Sequence, residues 1–350
     1  MAAQTVRVGV VGAGVWGAMH VRAYAQHASA DLVGVCDLDE GRAAERAERF
    51  GAAMSTGSIE ALLAEGLDAV SIATPDGAHV APALAAANAG AHMLIEKPLA
   101  TSVDDCRQII DAARANDVRV MVDWHNRWNP PVHEAWQAVR RGELGAIGHI
   151  YYRLSDTIHV PTTMLPWAQD SSVLHFLGSH AMDTICWLLD EAPARVTCRR
   201  KEGVLTAMGI NTADMVLTVL DFAGGATAVV ENCWTLPQSA PALIDHRWEI
   251  IGSQGVLYFD GTHHRAVAKY TSATPGGYPD ASYPDMFVTP EVHGRQVGFC
   301  VEPMYHFVEC IRDAKAPLTS GADGLLNTRI LLAAELSARE GRPVDLADVG

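Results

Sequence analysis

The sequence predicts an α/β fold that begins with a doubly wound parallel sheet. The chain has 350 residues, more than one hydrophobic core usually serves, so two domains are expected. Over the first third, short apolar strands alternate with helical segments, and buried strands separated by helices are typical of a parallel sheet. This alternation stops near Asp123. We therefore expect a first domain over residues 1–123 and a second, also α/β, over residues 124–350.

The elements of the first domain follow from β-branched runs and from helical composition. Strands are expected at residues 5–11, 31–37, 67–75, 92–98 and 118–123, and helices at residues 18–26, 40–49, 80–88 and 104–116. In such a sheet, ligands gather outside the carboxyl ends of the strands. Thr74-Pro75 and Glu96-Lys97-Pro98 end strands at that edge, so we expect them at the mouth of a ligand crevice.

A glycine-rich turn, GAGVWG, joins the first strand to the first helix. In a dinucleotide-binding fold, Gly12 permits the tight turn, Gly14 lets the backbone approach the pyrophosphate, and Gly17 allows close helix packing. Asp37 closes the second strand and can accept hydrogen bonds from the adenosine ribose hydroxyls. It would repel a 2′-phosphate, and Leu38 offers no compensating cation. The sequence therefore predicts NAD as cofactor, in preference to NADP.

Charge and cysteine usage exclude several classes of partner. The formal net charge is −15, and no basic stripe is present that could bind nucleic acid or an anionic membrane. Seven cysteines are widely spaced with no C-x-x-C pair, which is typical of reduced thiols in a cytoplasmic protein. No apolar run approaches the ~18 residues of a membrane span. A small neutral ligand fits this composition best.

Six motifs together resemble the Gfo/Idh/MocA family, the relatives of glucose–fructose oxidoreductase and inositol dehydrogenase. In chain order they are the GxGxxGxxH turn ending at His20, Asp37, ATPDGAH at 73–79, EKP at 96–98, NRWNP at 126–130 and GSHAMD at 178–183. EKP is the most specific of them, and the resemblance covers nearly the whole chain. It implies a Rossmann domain followed by an α/β domain with a large, mostly antiparallel open sheet. It also implies an NAD(P)-dependent dehydrogenase or reductase of sugars, cyclitols or their derivatives, assembled as a homodimer or homotetramer through sheet faces.

The resemblance also implies the catalytic residues. Lys97 corresponds to the lysine beside the nicotinamide, and His180 to the catalytic histidine of a helix. Family members often carry an Asp four residues before this histidine, whereas this sequence has Phe176. Because residues three apart share a helix face, Asp183 is expected to orient the His180 ring instead. The cofactor contacts expected are Gly12, Gly14, Val15, Trp16, Gly17, Asp37, Thr74, Pro75, His79, Glu96, Lys97 and Asn126.

The second domain is expected to supply the substrate pocket. A helix is predicted at 131–145, a strand at 147–156 and a core helix with a polar interruption at 172–189, followed by strands at 196–200, 214–222, 226–234, 246–251 and 255–260. The polar segment 157–171 bridges the first strand to the core helix and is a natural pocket wall. The substrate contacts expected are Arg153, Asp156, His159, Trp167 and Trp234.

Three further segments are assigned no chemistry. His263-His264 lies in a turn signal and lacks a third ligand at a recognisable spacing, so no metal site is predicted. Residues 274–290, rich in Gly, Pro and Tyr, are expected to form a long loop that serves as a lid or an oligomer contact. The apolar helix predicted at 321–344 is expected to pack between the domains.

Hydride transfer between a secondary alcohol carbon and the nicotinamide is the reaction expected. His180 would remove the hydroxyl proton, and Lys97 would stabilise the charge that develops on the same oxygen. Two alternatives remain open. A bound NAD could be recycled, with transient oxidation of a sugar enabling glycoside cleavage, or the absent Asp at position 176 could mark a non-catalytic NAD-dependent sugar sensor.

Overall fold

The computed structural model describes residues 5–262, 269–270, 281–282 and 285–350. The expectations for His263-His264 and for most of the 274–290 loop fall outside these residues. The principal helices are α1 (Val15–Gln26), α2 (Glu40–Phe50), α3 (Ile59–Leu63), α4 (Val80–Asn88), α5 (Val103–Ala115), α6 (Pro130–Arg140), α7 (Ser179–Leu189), α8 (Val204–Ala207), α9 (Glu302–Arg312) and α10 (Gly321–Glu340).

A parallel sheet of six strands forms the N-terminal region, as predicted. Its strands are β1 (Val6–Val11), β2 (Ala30–Cys36), β3 (Met54–Thr56), β4 (Ala69–Ile72), β5 (His92–Glu96) and β6 (Val120–Asp123), in the order β3-β2-β1-β4-β5-β6. The order reverses between β1 and β4, and a ligand crevice is expected outside the carboxyl ends of these strands. The three-residue β3 and five-residue α3 were not predicted, because elements this short carry no periodicity.

A seven-stranded sheet dominates the rest of the chain and is mostly antiparallel, as expected. Its strands are β7 (Ile147–Asp156), β8 (Arg195–Lys201), β9 (Met215–Asp221), β10 (Thr227–Cys233), β11 (Ile244–Gly252), β12 (Val256–Asp260) and β17 (Val344–Asp345), in the order β12-β11-β7-β10-β9-β8-β17. Only the β7–β10 pair among these is parallel. Helices α7 and α10 cover one face. The other face exposes Tyr151, Leu217 and Tyr258.

Two short antiparallel pairs complete the described strands: β13 (Lys269–Tyr270) with β14 (Ala281–Ser282), and β15 (Glu291–Val292) with β16 (Arg295–Gln296). After them the chain returns to the first sheet. Phe299 and Phe307 are buried in the same cluster as Val8 and Val10 of β1. Residues far along the sequence thus help to build the N-terminal core.

Helix α10 packs between the two sheets, as predicted. It starts at a capping box in which Ser320 and Asp323 bond each other's backbone N–H groups. A Cβ on Gly324 would lie 2.7 Å from the Leu99 side chain, so the helix approaches the end of β5 closely because it carries a glycine there. Within the described part of the chain, no helix is both long and apolar enough to cross a bilayer.

Candidate active site

The glycine turn has the geometry of a dinucleotide-binding loop. Gly12 has a φ of +93°, and a Cβ there would lie 2.5 Å from the Ala73 carbonyl oxygen. A Cβ on Gly17 would collide with the Gly12 carbonyl oxygen. Gly14 differs, since a Cβ on it would meet nothing within 4 Å. It is also the N-cap of α1, whose first turn has no side-chain cap. Free amides beside open space suit a pyrophosphate.

Asp37 lies at the end of β2, where it accepts four hydrogen bonds. The Ala13 amide donates at 2.7 Å and the Asp39 amide at 2.9 Å, while Arg42 donates from Nη2 at 2.7 Å and from Nε at 3.2 Å. Burial favours the neutral acid, but the bonds from Arg42 and the two amides outweigh it and lower the pKa of Asp37. Asp37 is therefore ionised beside the glycine turn.

Arg42 corrects one step of the cofactor prediction. That step considered Leu38, whose side chain is 96% exposed, and found no cation near Asp37. The cation comes instead from the first turn of α2, where a helix brings residue 42 back to the strand end. The spacing of an acid closing a strand and an arginine in the following helix is the signal that could have found it.

Lys97 reaches from the end of β5 to the C-terminal domain. Its Nζ donates to the Phe176 carbonyl at 3.0 Å and lies 4.3 Å from the centre of the Phe176 ring. Phe176 belongs to a π-helical turn, Leu174–Gly178, that precedes α7. The sequence predicted one continuous helix here. Such wider turns are often found at functional sites, and here the turn carries the carbonyl that accepts from Lys97.

His180, in the first turn of α7, is buried and close to Lys97. Burial lowers its pKa well below the ordinary value, and the charges of Lys97, His125 and His246 lower it further. The ring is therefore neutral near pH 7. Its Nδ1 is buried and accepts or donates no hydrogen bond within the described residues. Neutral imidazole is the form that can accept a proton.

Asp183 does not orient His180, contrary to the prediction. Its two oxygens take bonds of 2.6 and 3.0 Å from Arg127, and both side chains are almost fully buried. The shared helix face placed Asp183 near His180, but a buried carboxylate binds a guanidinium in preference to a neutral ring. Arg127 also donates to Asp323 and to the Leu318 carbonyl. The sequence reasoning missed this arginine, although it lies inside the NRWNP motif.

His79 and Glu96, both predicted to contact the cofactor, have hydrogen-bond partners within the protein. The His79 ring is fully buried, with Nδ1 2.9 Å from the Pro98 carbonyl oxygen and Nε2 3.0 Å from that of Thr74. It therefore fastens the end of β4 to the EKP segment. Glu96 is 8% exposed and lies 3.0 Å from His20 Nε2.

A buried acid cluster lies below Lys97. Glu96 and Asp123 are neighbours in register at the ends of β5 and β6, and His20 lies 3.6 Å from Asp123. Burial and the Glu96 charge raise the pKa of Asp123 well above its usual value, whereas the hydrogen bond from His20 outweighs burial and lowers that of Glu96. The pKa values of the two acids are thus pushed apart, with that of Asp123 raised and that of Glu96 lowered. One imidazole nitrogen of His20 and one carboxylate oxygen from each acid lie within 4.8 Å of one another.

The remaining predicted cofactor residues lie at the edges of the crevice. Val15 is 72% exposed and Pro75 is exposed, while Thr74 is half-buried and donates from its hydroxyl to the Ala78 carbonyl. Asn126 is buried in the turn after β6. The Trp16 ring stacks on that of His125, with ring centres 5.7 Å apart.

Aromatic rings form a wall around Phe176, one turn before His180. The Phe176 ring lies 6.1 Å from Trp167 and 5.7 Å from Trp234, which is fully buried. Asp156 is also buried beside Trp234, and burial raises its pKa to about 7 against the opposing influence of Trp234 and Lys97. No hydrogen bond of regular geometry reaches its oxygens from the described residues. His159 is half-buried at the start of the adjoining turn Val160–Met164.

Arg153, which was predicted to contact substrate, lies on the outward face of the seven-stranded sheet. Along β7 the side chains alternate, so that Tyr152 and Leu154 face the helices while Tyr151 and Arg153 face outward. Arg153 pairs there with Glu231 at 3.0 Å and Asp245 at 3.4 Å. Because Asp156 is an odd number of residues away, it lies on the opposite face.

The dinucleotide-type turn, with a lysine and a histidine brought to its crevice from two different regions, defines a two-domain oxidoreductase that binds a nicotinamide dinucleotide. The comparisons agree. Residues 6–124 match the model of an oxidoreductase family with an NAD-binding Rossmann fold, and residues 132–258 match the GFO/IDH/MocA C-terminal domain. The chain belongs to the GFO/IDH/MocA family.

Relatives with assigned names support this membership. Inositol 2-dehydrogenase 1 of Saccharopolyspora erythraea is 33% identical over 72% of this chain and 73% of its own. D-apiose dehydrogenase of Paraburkholderia graminis is 27% identical over 96% of this chain and 88% of its own. The crystal structure of GenD2 from gentamicin A biosynthesis, in complex with NAD, has a TM-score of 0.85 at 24% identity, covering 98% of this chain and 96% of that one. This last likeness is one of fold.

Proposed function

We propose that the protein is an NAD-dependent dehydrogenase that oxidises a secondary hydroxyl of a sugar, sugar derivative or cyclitol, or reduces the matching ketone. The observation that carries the proposal is the meeting of Lys97 and His180 at the mouth of the crevice. Lys97 is close enough to His180 for its charge to lower the pKa of the ring. Two of the named relatives act on an inositol and on the sugar D-apiose.

The two side chains divide the work on the substrate oxygen. His180 is neutral, so it can take the hydroxyl proton as a general base. Lys97 places an ammonium where negative charge develops on that oxygen and stabilises it. Its anchoring by the Phe176 carbonyl and ring fixes its direction before substrate arrives. Bound NAD supplies the hydride acceptor, a role that the protein's own side chains cannot fill.

The aromatic wall supports a ring-shaped polyol as substrate. Trp167 and Phe176 offer apolar faces against which the C–H face of a sugar or cyclitol can pack. Asp156, buried and without a hydrogen bond of regular geometry from the described residues, offers acceptor oxygens for hydroxyl groups. We infer that Asp156, His159 and Trp167 contact substrate, and that Trp234 supports them from behind.

The decisive experiment is a screen of absorbance at 340 nm across monosaccharides, glycosides and inositols with NAD. Once a substrate is found, Lys97→Met and His180→Asn should each lower kcat by about two to four orders of magnitude while leaving NAD affinity nearly unchanged. Lys315→Met is the matched control, since its side chain is 69% exposed. Wild-type turnover in both active-site variants would refute the assignment. Product formation without net NADH accumulation would favour the glycoside-cleaving alternative.

We also infer that NAD is preferred over NADP, and that Val15, Trp16, Thr74, Pro75 and Asn126 line its site. The ionised Asp37 supports this preference, although Arg42 beside it offers a 2′-phosphate some attraction. Gly14→Ala tests the binding mode. Its Cβ meets nothing in the protein, so the variant should unfold like the wild type yet bind NAD about tenfold or more weakly, measured by calorimetry. Undiminished NAD affinity would place the pyrophosphate elsewhere.

The assembly and location expected of the protein stay proposals. We infer a homodimer or homotetramer through the open face of the seven-stranded sheet, because Tyr151, Leu217 and Tyr258 are exposed there. We infer a cytoplasmic location because all seven cysteines are unpaired. The division into domains at residues 123 and 124 fits the end of β6, with residues 299–312 as a returning segment. Sedimentation of the wild type and of Tyr258→Glu tests the interface.

A further inference from the structure

His125 has no part in the proposed reaction, yet it lies in the middle of the crevice. It lies two residues after the end of β6, at the same sheet edge as Lys97, and is half-buried. Its ring centre is 4.8 Å from that of His180 and 5.7 Å from that of Trp16, the latter at an interplanar angle of 26°. Phe299 closes a third side at 5.7 Å. All three separations are aromatic contacts, so one ring touches both the glycine turn and the catalytic histidine.

His180 needs such a neighbour, because no acid among the described residues forms a hydrogen bond with its ring. Position 176, a turn before it, holds a phenylalanine whose carbonyl and ring engage Lys97. Asp183, a turn after it, is bound to Arg127. With Nδ1 of His180 unpartnered among the described residues, its orientation depends on packing. The ring contact with His125 supplies that packing from the turn that follows β6.

Burial and the nearby charges keep both rings of this contact neutral. Burial lowers the pKa of His125 to about 4, with Lys97 and His20 acting in the same direction and the Glu96 charge opposing them. Around His180, Lys97, His125 and His246 act in the same direction as burial. Near pH 7 neither ring carries a proton that would repel the other. The contact therefore favours the base form of His180.

We propose that His125 is a positioning residue that holds His180 in its neutral, oriented form and couples it to the occupancy of the glycine turn. Trp16 belongs to the turn that is proposed to bind the dinucleotide, so a ligand that orders Trp16 also orders the ring stacked on it. The kinetic part of this proposal rests on the dehydrogenase function. The contact and the coupling do not.

Nuclear magnetic resonance titration of the His180 imidazole nitrogens, with and without NAD, tests the coupling. In the wild type we expect the pKa of His180 to lie well below its ordinary value and to change again when NAD binds. His125→Ala should raise the His180 pKa, because water enters beside the ring, and should abolish the change on NAD binding. His125→Phe, which keeps the ring, should preserve both. His149→Ala, on the open sheet face, is the matched control.

Turnover gives the second readout. His125→Ala should lower kcat about 10- to 100-fold with the KM for NAD little changed, and His125→Phe should restore most of it. Should the alanine variant fail to fold, His125→Leu, which keeps volume without an aromatic face, should show the same loss. An unaltered His180 titration in the Ala or Leu variant overturns the proposal, as does a Phe variant as impaired as either. If the wild type oxidises no polyol, the dehydrogenase function fails, and the titrations still decide the role of His125.

Discussion

Replacing Arg127 by Met should destabilise the protein by about 3–5 kcal/mol, the cost of leaving a buried carboxylate without its partner. The Arg127 side chain is 8% exposed and that of Asp183 is 3% exposed. Arg127 bonds both oxygens of Asp183 and joins the turn after β6 to α7. Methionine keeps most of the apolar stem of arginine. The loss in free energy of unfolding therefore measures the removal of the guanidinium charge. Urea unfolding followed by circular dichroism measures it.

The double variant Arg127→Met/Asp183→Leu separates this cost from general damage. It removes both charges, so no buried carboxylate is left alone. Arg127 also donates to Asp323 and to the Leu318 carbonyl, and losing these bonds should cost about 1–3 kcal/mol. We therefore expect the double variant to be more stable than Arg127→Met alone by about 2 kcal/mol. Equal stability of the two would refute the ion pair as the source.

Two further predictions concern the pocket. Burial raises the pKa of Asp156 to about 7, so the stability that it contributes is complete below about pH 4 and is lost as the pH rises to 7, by up to about 4 kcal/mol. Asp156→Asn should remove this loss in urea unfolding from pH 4 to 8, and a parallel pH dependence in both proteins would contradict it. Phe176→Asp adds an acid near His180, so it should raise the His180 pKa and move the acid limb of the kcat profile to higher pH. An unchanged acid limb of the kcat profile would show that an acid at position 176 does not influence the pKa of His180.

Much of the fold could be predicted because its signals are local. The five longer strands of the first sheet are apolar runs, and the glycine turn fixes where α1 begins. The antiparallel strands of the second sheet follow from turn signals and alternation. In contrast, β3 and α3 are too short to carry a period. The π-helical turn Leu174–Gly178 has helical composition, so nothing in its sequence distinguishes it from the helix that it precedes.

The site was predicted less completely, because its contacts join residues far apart in the chain. Lys97 and His180 are brought to one crevice, but Asp183 is bound by an arginine 56 residues earlier, a partner that helix periodicity cannot reveal. The position of Arg153 follows from a signal of a different kind. Side chains alternate between the two faces of a strand. Applied to the predicted strand at 147–156, this rule places Arg153 and Asp156 on opposite faces of the sheet.

Two adjacent residues of α10 control the spacing of the proposed catalytic pair without touching either member. Asn327 donates at 2.8 Å to the Ser179 carbonyl, one residue before His180, and Thr328 donates at 3.0 Å to the Ala100 carbonyl, three residues after Lys97. Helix α10 thus links the segment that carries the His180 imidazole to the segment that carries the Lys97 ammonium. A substitution that changes how α10 packs against Leu99 would therefore change the distance between Lys97 and His180. The site could then accept a larger or smaller substrate with the same catalytic side chains.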